Sequence, residues 1–186
     1  MSDKLRPLLP YALEAVAVVA LFAAVGAGCG WLWFEVWHQP VGTVYEHEWF
    51  PDEEALRNVF DGVAWYVVLA AGAGLLAGGL ATLFARRSPP VTLAAVVVGS
   101  ALAAWLMLRV GLQLSPADPE VLARTAAEGD TLGGRLSLEG SRSAYLAWPL
   151  GSVIALMALN FLLSSRDEIK SREAHDPRWL SRNHPG

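Results

Sequence analysis

Four long runs without a formal charge constrain this chain more than any other feature. Residues 15–34, 62–85, 88–108 and 143–165 contain no Asp, Glu, Lys or Arg and hold 20, 24, 21 and 23 residues. A helix rises about 1.5 Å per residue, so about 20 apolar residues cross a hydrocarbon core about 30 Å thick. Because four such runs occupy 186 residues that are 54% hydrophobic, a soluble fold is not expected. The sequence predicts an all-α polytopic membrane protein, a bundle of four transmembrane helices.

The distribution of lysine and arginine orients the predicted spans. Nine of the 14 basic residues lie in the N-terminus, the second connection and the tail, whereas the first connection has only Arg57. The positive-inside rule therefore predicts a multi-pass protein of the cell (plasma) membrane with both termini in the cytoplasm. The predicted segments are a cytoplasmic N-terminus (1–10), four spans (11–34, 62–85, 91–111 and 144–165), extracytoplasmic loops (35–61 and 112–143), a tight cytoplasmic turn (86–90) and a partly disordered cytoplasmic tail (166–186). The tight turn predicts that spans two and three form an antiparallel hairpin.

The first extracytoplasmic loop is acidic and carries signals of a strand and a helix. Residues 43–50 (TVYEHEWF) hold β-branched and aromatic residues at a spacing that suits a short strand. Residues 51–54 (PDEE) place acidic side chains at the positive end of a helix dipole and predict a helix that runs toward Phe60. This loop is therefore expected to fold as part of a small α/β cap.

The second extracytoplasmic loop carries similar signals. Asp118 suits the N-cap of a helix and Pro119 suits its first position, and this helix is expected to run to about Ala127 and stop near Gly129. Residues 135–138 are a second candidate strand, which would pair with the strand of the first loop.

Glycines recur at helical spacing within the spans. Gly26-x-x-x-Gly30 and Gly74-x-x-x-Gly78 each remove two side chains from one helix face, and span three offers Gly99. Small residues allow membrane helices to approach closely, so these five positions are predicted helix-packing sites within the bundle, with a homodimer through one such face as the alternative. A dinucleotide-binding loop is disfavoured because no strand precedes the first glycines and no exposed helix start follows them.

The only cysteine, Cys29, permits no internal disulfide. A buried, inert thiol is the default interpretation. The alternative is a lipoprotein signal, in which Cys29 would be acylated and become the new N-terminus. Its apolar stretch is long for a signal peptide and continues beyond the cysteine.

Three ionisable residues and one amide fall at or near membrane depth. Glu14 lies about one turn inside span one, and Arg86 and Asn160 are expected at a similar depth in spans two and four. Because a partner is then available, a satisfied structural carboxylate is favoured over a proton- or cation-coupling one. Glu35 and Arg109 lie at matching ends of spans one and three and are predicted to form an interhelical charge pair. Recognition of anionic headgroups by Arg109 is the alternative.

Tryptophans concentrate at one side of the predicted membrane. Indoles favour the headgroup level, so those near the outer span ends are predicted to form an interfacial belt, with contact to a lipid or partner surface as the alternative. The predicted belt consists of Trp31, Trp33, Trp37, Trp65 and Trp148.

The first loop also raises the question of a metal site. If residues 43–50 form a strand, Glu46 and Glu48 share one face while His47 points away, and no HExxH pair exists. A solvated acidic loop is therefore preferred to a zinc or calcium site. The sequence contains no nucleophile elbow, phosphate loop or serine–histidine–acid set, so no catalytic residue, metal ligand or cofactor is assigned.

Several phrases of the sequence resemble an uncharacterised actinobacterial family of small four-span membrane proteins, a domain of unknown function. The resemblance covers about residues 10–165 and implies membrane placement and topology, with no site residue attached. The phrases are WFEVWHQPVG at 33–42, EHEWFPDE at 46–53, GVAWYVVLAAGAGLLAG at 62–78, VTLAAVVVGSALAAWLMLRVG at 91–111 and AYLAWPLG at 144–151.

Together these features predict a non-enzymatic accessory or assembly subunit that acts in envelope biogenesis or beside a transport system. Its expected partners are the lipid bilayer and a membrane protein or a second copy of the chain, with no nucleic acid. The alternative is a small transporter or channel subunit that uses Glu14, Arg109 and Asn160. It ranks second because the spans contain no pair of broken helices and few polar groups. An envelope enzyme ranks third.

Overall fold

The computed structural model describes residues 9–84, 88–138 and 141–174 and is mostly helical, with one small sheet. Four helices, α1, α2, α3 and α5, are long and apolar enough to cross a membrane, as predicted. Residues 1–8 of the predicted N-terminal segment 1–10, the arginines of the tight turn and the end of the tail lie outside the described residues. The elements are α1 (Leu9–Val36), β1 (Val41–Tyr45), β2 (Glu48–Pro51), α2 (Glu53–Phe84), α3 (Pro89–Leu114), α4 (Pro119–Ala123), β3 (Thr131–Gly133), a 3₁₀ helix (Arg142–Leu146) and α5 (Ala147–Ala174).

The four long helices pack as two parallel pairs. Helix α1 lies against α3, and α2 lies against α5. Helices α2 and α3 are consecutive and antiparallel, but each has its main packing partner elsewhere, which differs from the predicted hairpin of spans two and three. The difference arises because the small residues of these helices face α5 and α1. Close approach of the backbones therefore determines which helices pair, and the short connection between α2 and α3 does not.

Helix α2 extends well beyond the predicted span. The predicted helix toward Phe60 and the predicted span 62–85 form one continuous helix of 32 residues. It begins where Asp52 acts as N-cap: the Asp52 Oδ1 atom accepts a hydrogen bond of 2.6 Å from the Ala55 amide, and two acidic residues follow in the first turn. No proline interrupts the helix. Its first turns therefore project past the bundle into the folded end of the molecule.

That end, here called the cap, consists of the three strands, α4 and their connections. The predicted single strand 43–50 is wrong, because a hairpin turn divides it into β1 and β2. Glu46 and His47 have φ angles of +51° and +63°, a pair of left-handed residues typical of a type I′ turn. The resulting register pairs Tyr45 with Glu48 and Thr43 with Phe50.

The third strand also differs from its prediction. Residues 131–133 form β3, which pairs antiparallel with β1 and gives the strand order β2-β1-β3, whereas residues 135–138 form an extended loop. That loop is held to the end of α3 by a hydrogen bond of 2.9 Å from the Leu136 amide to the Ser115 Oγ atom. Helix α4 has the predicted N-cap, Asp118, but ends at Ala123, earlier than expected.

The carboxylate of Glu128 closes the hairpin turn. It accepts hydrogen bonds from the backbone amides of Glu46 and His47, at 2.9 and 3.2 Å. We expect Glu128→Ala to destabilise this turn by roughly 1 kcal/mol, because both amides lose an ionised acceptor. Amide hydrogen exchange at residues 46 and 47 should accelerate severalfold while the long helices are unaffected. The exposed Glu48→Ala is the matched control, and equal acceleration in both variants would contradict this assignment.

Candidate functional site

The predicted helix-packing glycines lie at the two helix pairs. A Cβ atom added at Gly26 would lie 2.6 Å from the Ala103 Cα atom, and one added at Gly30 would lie 2.6 Å from the Met107 oxygen. Gly99 faces the Phe22 side chain across the same pair. In the second pair, added Cβ atoms at Gly74 and Gly78 would lie 2.7 Å from the Trp148 oxygen and 2.5 Å from the Ser152 oxygen. The backbones of both pairs are therefore in direct contact.

The tryptophans of the predicted belt divide into two groups. Trp31 and Trp65 are exposed, with 55% and 37% of their surface accessible, as expected of interfacial residues. Trp33, Trp37 and Trp148 are buried instead. Trp33 and Trp148 face neighbouring helices, and Trp37, just after the end of α1, lies beside Gly62 of α2. The belt that surrounds the bundle therefore retains only part of the predicted set.

The buried tryptophans form the centre of an aromatic core. The Trp33 ring packs edge-on against Tyr66, with ring centroids 5.1 Å apart, and the Trp148 ring lies 6.2 Å from Phe22. The Trp33 Nε1 group donates to the Gly62 oxygen at 2.8 Å, and the Tyr66 hydroxyl donates to the Ala104 oxygen at 3.2 Å. These side chains fill the interior of the bundle and satisfy their polar atoms within it.

The predicted intramembrane polar groups are not brought together. Glu14 is half-buried, and its Oε1 atom is buried with no hydrogen-bond partner among the described residues. Asn160 is exposed, and its Nδ2 group donates to the Leu156 oxygen of its own helix at 2.8 Å. The side chain of Arg86 lies outside the described residues. Glu14 therefore remains a candidate functional residue, whereas the Asn160 amide forms its hydrogen bond within its own helix.

The structure does not pair Glu35 with Arg109. Within residues 9–84, 88–138 and 141–165, the ion pairs join His38 to Asp61 and His47 to Glu128. The Arg109 guanidinium lies 5.5 Å above the ring of Trp105, one turn earlier on the same helix, in a cation–π contact. The spacing of four residues between Trp105 and Arg109 is the sequence signal for this contact, because it places both side chains on one face of α3.

The two histidine–carboxylate pairs are exposed and lie in and beside the cap. His38 Nδ1 lies 3.6 Å from Asp61, which connects the end of α1 to α2, and His47 Nδ1 lies 3.9 Å from Glu128. Since His47 occupies the hairpin turn, the predicted alternation of Glu46, His47 and Glu48 along one strand does not exist. The part of the chain that the structure describes holds no group of three metal-ligating side chains.

A cleft of about 590 Å³ lies between the cap and the ends of the long helices. Leu108 and Leu112 of α3 contribute to its lining, together with the aromatic side chains of Trp37, Trp49 and Tyr145. The Trp49 indole is held in place because its Nε1 group donates to the Leu132 oxygen at 3.1 Å. No local pattern in the sequence indicates this cleft, since its lining comes from segments far apart in the chain.

Three charged residues also line this cleft. Asp118 and Glu120 come from the start of α4, and Arg135 comes from the loop after β3. Asp118 Oδ1 accepts a hydrogen bond of 3.1 Å from the Glu120 amide, which fixes that carboxylate. Arg135 is exposed, and no described carboxylate lies within 4.0 Å of it. The cleft thus combines aromatic walls with one cation and two anions.

The sheet presents a second feature on its opposite face. Val41, Tyr45 and Phe50 point away from the molecule and are 43%, 62% and 49% exposed, and the rings of Tyr45 and Phe50 pack edge-on with centroids 6.2 Å apart. We call these three residues the apolar patch of the cap. Val44 and Trp49 belong to the other face of the same strands and point inward.

Comparisons with protein-family models, with curated proteins and with solved structures find no match to this chain. The resemblance to an actinobacterial four-span family therefore stays a prediction.

Proposed function

We propose that the chain is a non-enzymatic accessory or assembly subunit of the cell membrane, with both termini in the cytoplasm and the cap outside. It would act in envelope biogenesis or beside a transport system by docking a partner membrane protein. One observation carries this proposal: the apolar patch lies on the sheet of the cap, outside the four helices that are long enough to span a membrane. Exposed apolar patches on water-facing surfaces mark interaction sites, whereas exposed apolar residues on spanning helices need no partner.

Charge around the patch defines the class of partner. Residues 35–61 hold seven carboxylates and one arginine, and Glu46 and Glu48 directly neighbour the patch. A docking segment with aromatic or aliphatic side chains and a surplus of lysine or arginine complements this surface, because opposite potentials favour encounter and register. The proposed partner is therefore a basic extracytoplasmic segment of a membrane protein.

Site-directed cross-linking tests this docking. A photo-reactive amino acid at Tyr45 or Phe50 should form an adduct with one protein that also co-purifies in stoichiometric amount after gentle detergent extraction. Trp49 is unsuitable because it points inward, and Ile154, which is 57% exposed on α5, serves as the lipid-facing control. Adducts with lipid alone from both cap positions would overturn the proposal.

Substitution of the patch gives a quantitative test. We expect the pair Tyr45→Ser and Phe50→Ser to reduce co-purification at least about tenfold, since interface aromatics are frequent binding hot spots. Glu14→Ala should change co-purification little, because Glu14 lies near the start of α1 and the cap follows the other end of that helix. Equal loss in both variants would indicate a general defect in folding and would contradict docking through the patch.

A small transporter or channel subunit is the second candidate, favoured by one observation: the buried Oε1 atom of Glu14 has no hydrogen-bond partner among the described residues. This candidate requires flux in liposomes without a partner and loss of that flux in Glu14→Gln. The aromatic core argues for the accessory role, because Phe22, Trp33, Tyr66 and Trp148 are fully buried between the helices and leave the described interior closely packed.

The orientation has its own test. A tag fused after Gly186 should resist protease added to intact cells, because the proposed topology places it in the cytoplasm. Digestion of the tag would show that the proposed topology is inverted and that the cap does not lie on the outer side.

A further inference from the structure

We propose that the cleft beneath the cap binds the headgroup of a zwitterionic phospholipid, with phosphatidylethanolamine as the probe. This inference rests on the membrane placement in the proposed function but is independent of partner docking, because the apolar patch lies on the opposite face of the sheet. The juxtaposition that points to it is the Arg135 guanidinium, which has no ion-pair partner among the described residues, with two carboxylates and three aromatic side chains around one opening.

The position of the cleft suits a lipid headgroup. Leu108 and Leu112 of its lining lie on α3 about one and two turns beyond Trp105, whose side chain is 51% exposed. Exposed indoles favour the level of the headgroups, so the lining of the cleft begins where glycerol and phosphate groups of the outer leaflet lie. A ligand that is apolar at one end and charged at the other matches this boundary.

The size and the rigid walls of the cleft also suit a bound ligand. Its volume of about 590 Å³ falls within the range of roughly 300–1,000 Å³ that is typical of small-molecule sites. Two segments of the lining are held before binding: the Gly134 amide donates to the Pro40 oxygen at 2.6 Å, and the Leu136 amide donates to the Ser115 Oγ atom. Such preorganisation reduces the entropy lost when a ligand binds.

The charges define the headgroup. The Arg135 guanidinium can bind a phosphate with two hydrogen bonds, and no described carboxylate competes for it at ion-pair distance. An ammonium group is attracted by the carboxylates of Asp118 and Glu120, and aromatic side chains of the lining can add a cation–π contact. An anionic lipid would satisfy only Arg135 and would be repelled by both carboxylates, so a zwitterionic headgroup is favoured.

Native mass spectrometry of the full chain in detergent tests this assignment. We expect one phosphatidylethanolamine per chain to remain bound, with an affinity at least about tenfold higher than for phosphatidylglycerol with the same acyl chains. Soluble phosphoethanolamine should bind far more weakly, because the lipid is held at the membrane boundary as well. Equal binding of the two lipids, or equal affinity for the soluble headgroup, would overturn the proposal.

Matched variants distinguish a loss of lipid binding from a loss of folding. Arg135→Gln and Glu120→Gln should each reduce retention of phosphatidylethanolamine about tenfold. The controls Arg124→Gln and Glu48→Gln remove exposed charges of the cap that do not line the cleft, and they should leave retention unchanged. All four variants should keep the thermal midpoint of the parent chain. Equal retention in lining and control variants would contradict the assigned site.

Cross-linking separates a lipid from a protein occupant. A photo-reactive amino acid at Leu112 should capture phosphatidylethanolamine from vesicles that contain it. Capture of a protein at Leu112 would assign the cleft to a partner segment and refute the lipid assignment. Docking at Tyr45 and Phe50 would remain a separate result, so failure of one proposal does not imply failure of the other.

Discussion

Gly26→Val is expected to separate α1 from α3 and to lower the free energy of unfolding of the bundle by about 3 kcal/mol. An added Cβ atom would lie 2.6 Å from the Ala103 Cα atom and 2.7 Å from its carbonyl oxygen. Both atoms belong to the backbone of α3, so no side-chain rotation relieves the overlap and the helices must move apart. Unfolding of the purified protein by a denaturing detergent, followed by circular dichroism, measures the loss.

Gly28→Val is the matched control for this prediction. Gly28 lies on the same helix two residues further on, and an added Cβ atom there meets no atom within 4 Å. Both variants remove one glycine and introduce the same β-branched side chain, so their helix propensities change equally. Only the contact with α3 differs between them. Equal loss of stability in the two variants would show that the small residues act through helix propensity and not through packing.

Trp33→Ala is expected to destabilise the bundle by about 3–5 kcal/mol, the range for removing a large aromatic side chain from a packed interior. The Trp33 side chain is fully buried, packs against Tyr66 and lies over Gly111, where an added Cβ atom would be 2.5 Å from its ring. The substitution leaves a cavity and also removes the hydrogen bond to the Gly62 oxygen. Thermal unfolding in detergent measures this effect.

Trp31→Ala serves as the control, because Trp31 is 55% exposed on the same helix. It should change the thermal midpoint in detergent little, since few protein contacts are lost. If Trp31 and Trp33 are equally sensitive, the division of the tryptophans into core and belt residues is wrong.

Features determined by a few neighbouring residues could be predicted from the sequence. Asp118 and Pro119 open α4 as expected, because an N-cap and a proline at the first position act through local backbone geometry. The acidic start of α2 follows the same rule. The hairpin turn at Glu46 and His47 could not be predicted, since neither residue is the glycine or asparagine that type I′ turns prefer. Tertiary contacts, including the Glu128 carboxylate, stabilise it.

The candidate sites were less accessible to sequence analysis. The cleft joins residues of α3, α4 and two loops, so no local pattern indicates it. The predicted Glu35–Arg109 pair failed for a related reason: matching depth in the membrane does not imply matching faces of two helices. Arg109 lies over Trp105 of its own helix instead.

The sequence by itself determined the number of long apolar helices, because the length of an uncharged run is a local property and the hydrocarbon core has a known thickness. Only the tertiary structure decided which face of each helix is buried, which helices pair and what the cap encloses. The physical reason is that lipid chains and a protein interior are equally apolar, so a helix that is hydrophobic all round gives no signal of its inward face. Trp31 and Trp33 are two residues apart, so helix geometry places them on opposite faces of α1, and packing decided which of the two faces the core.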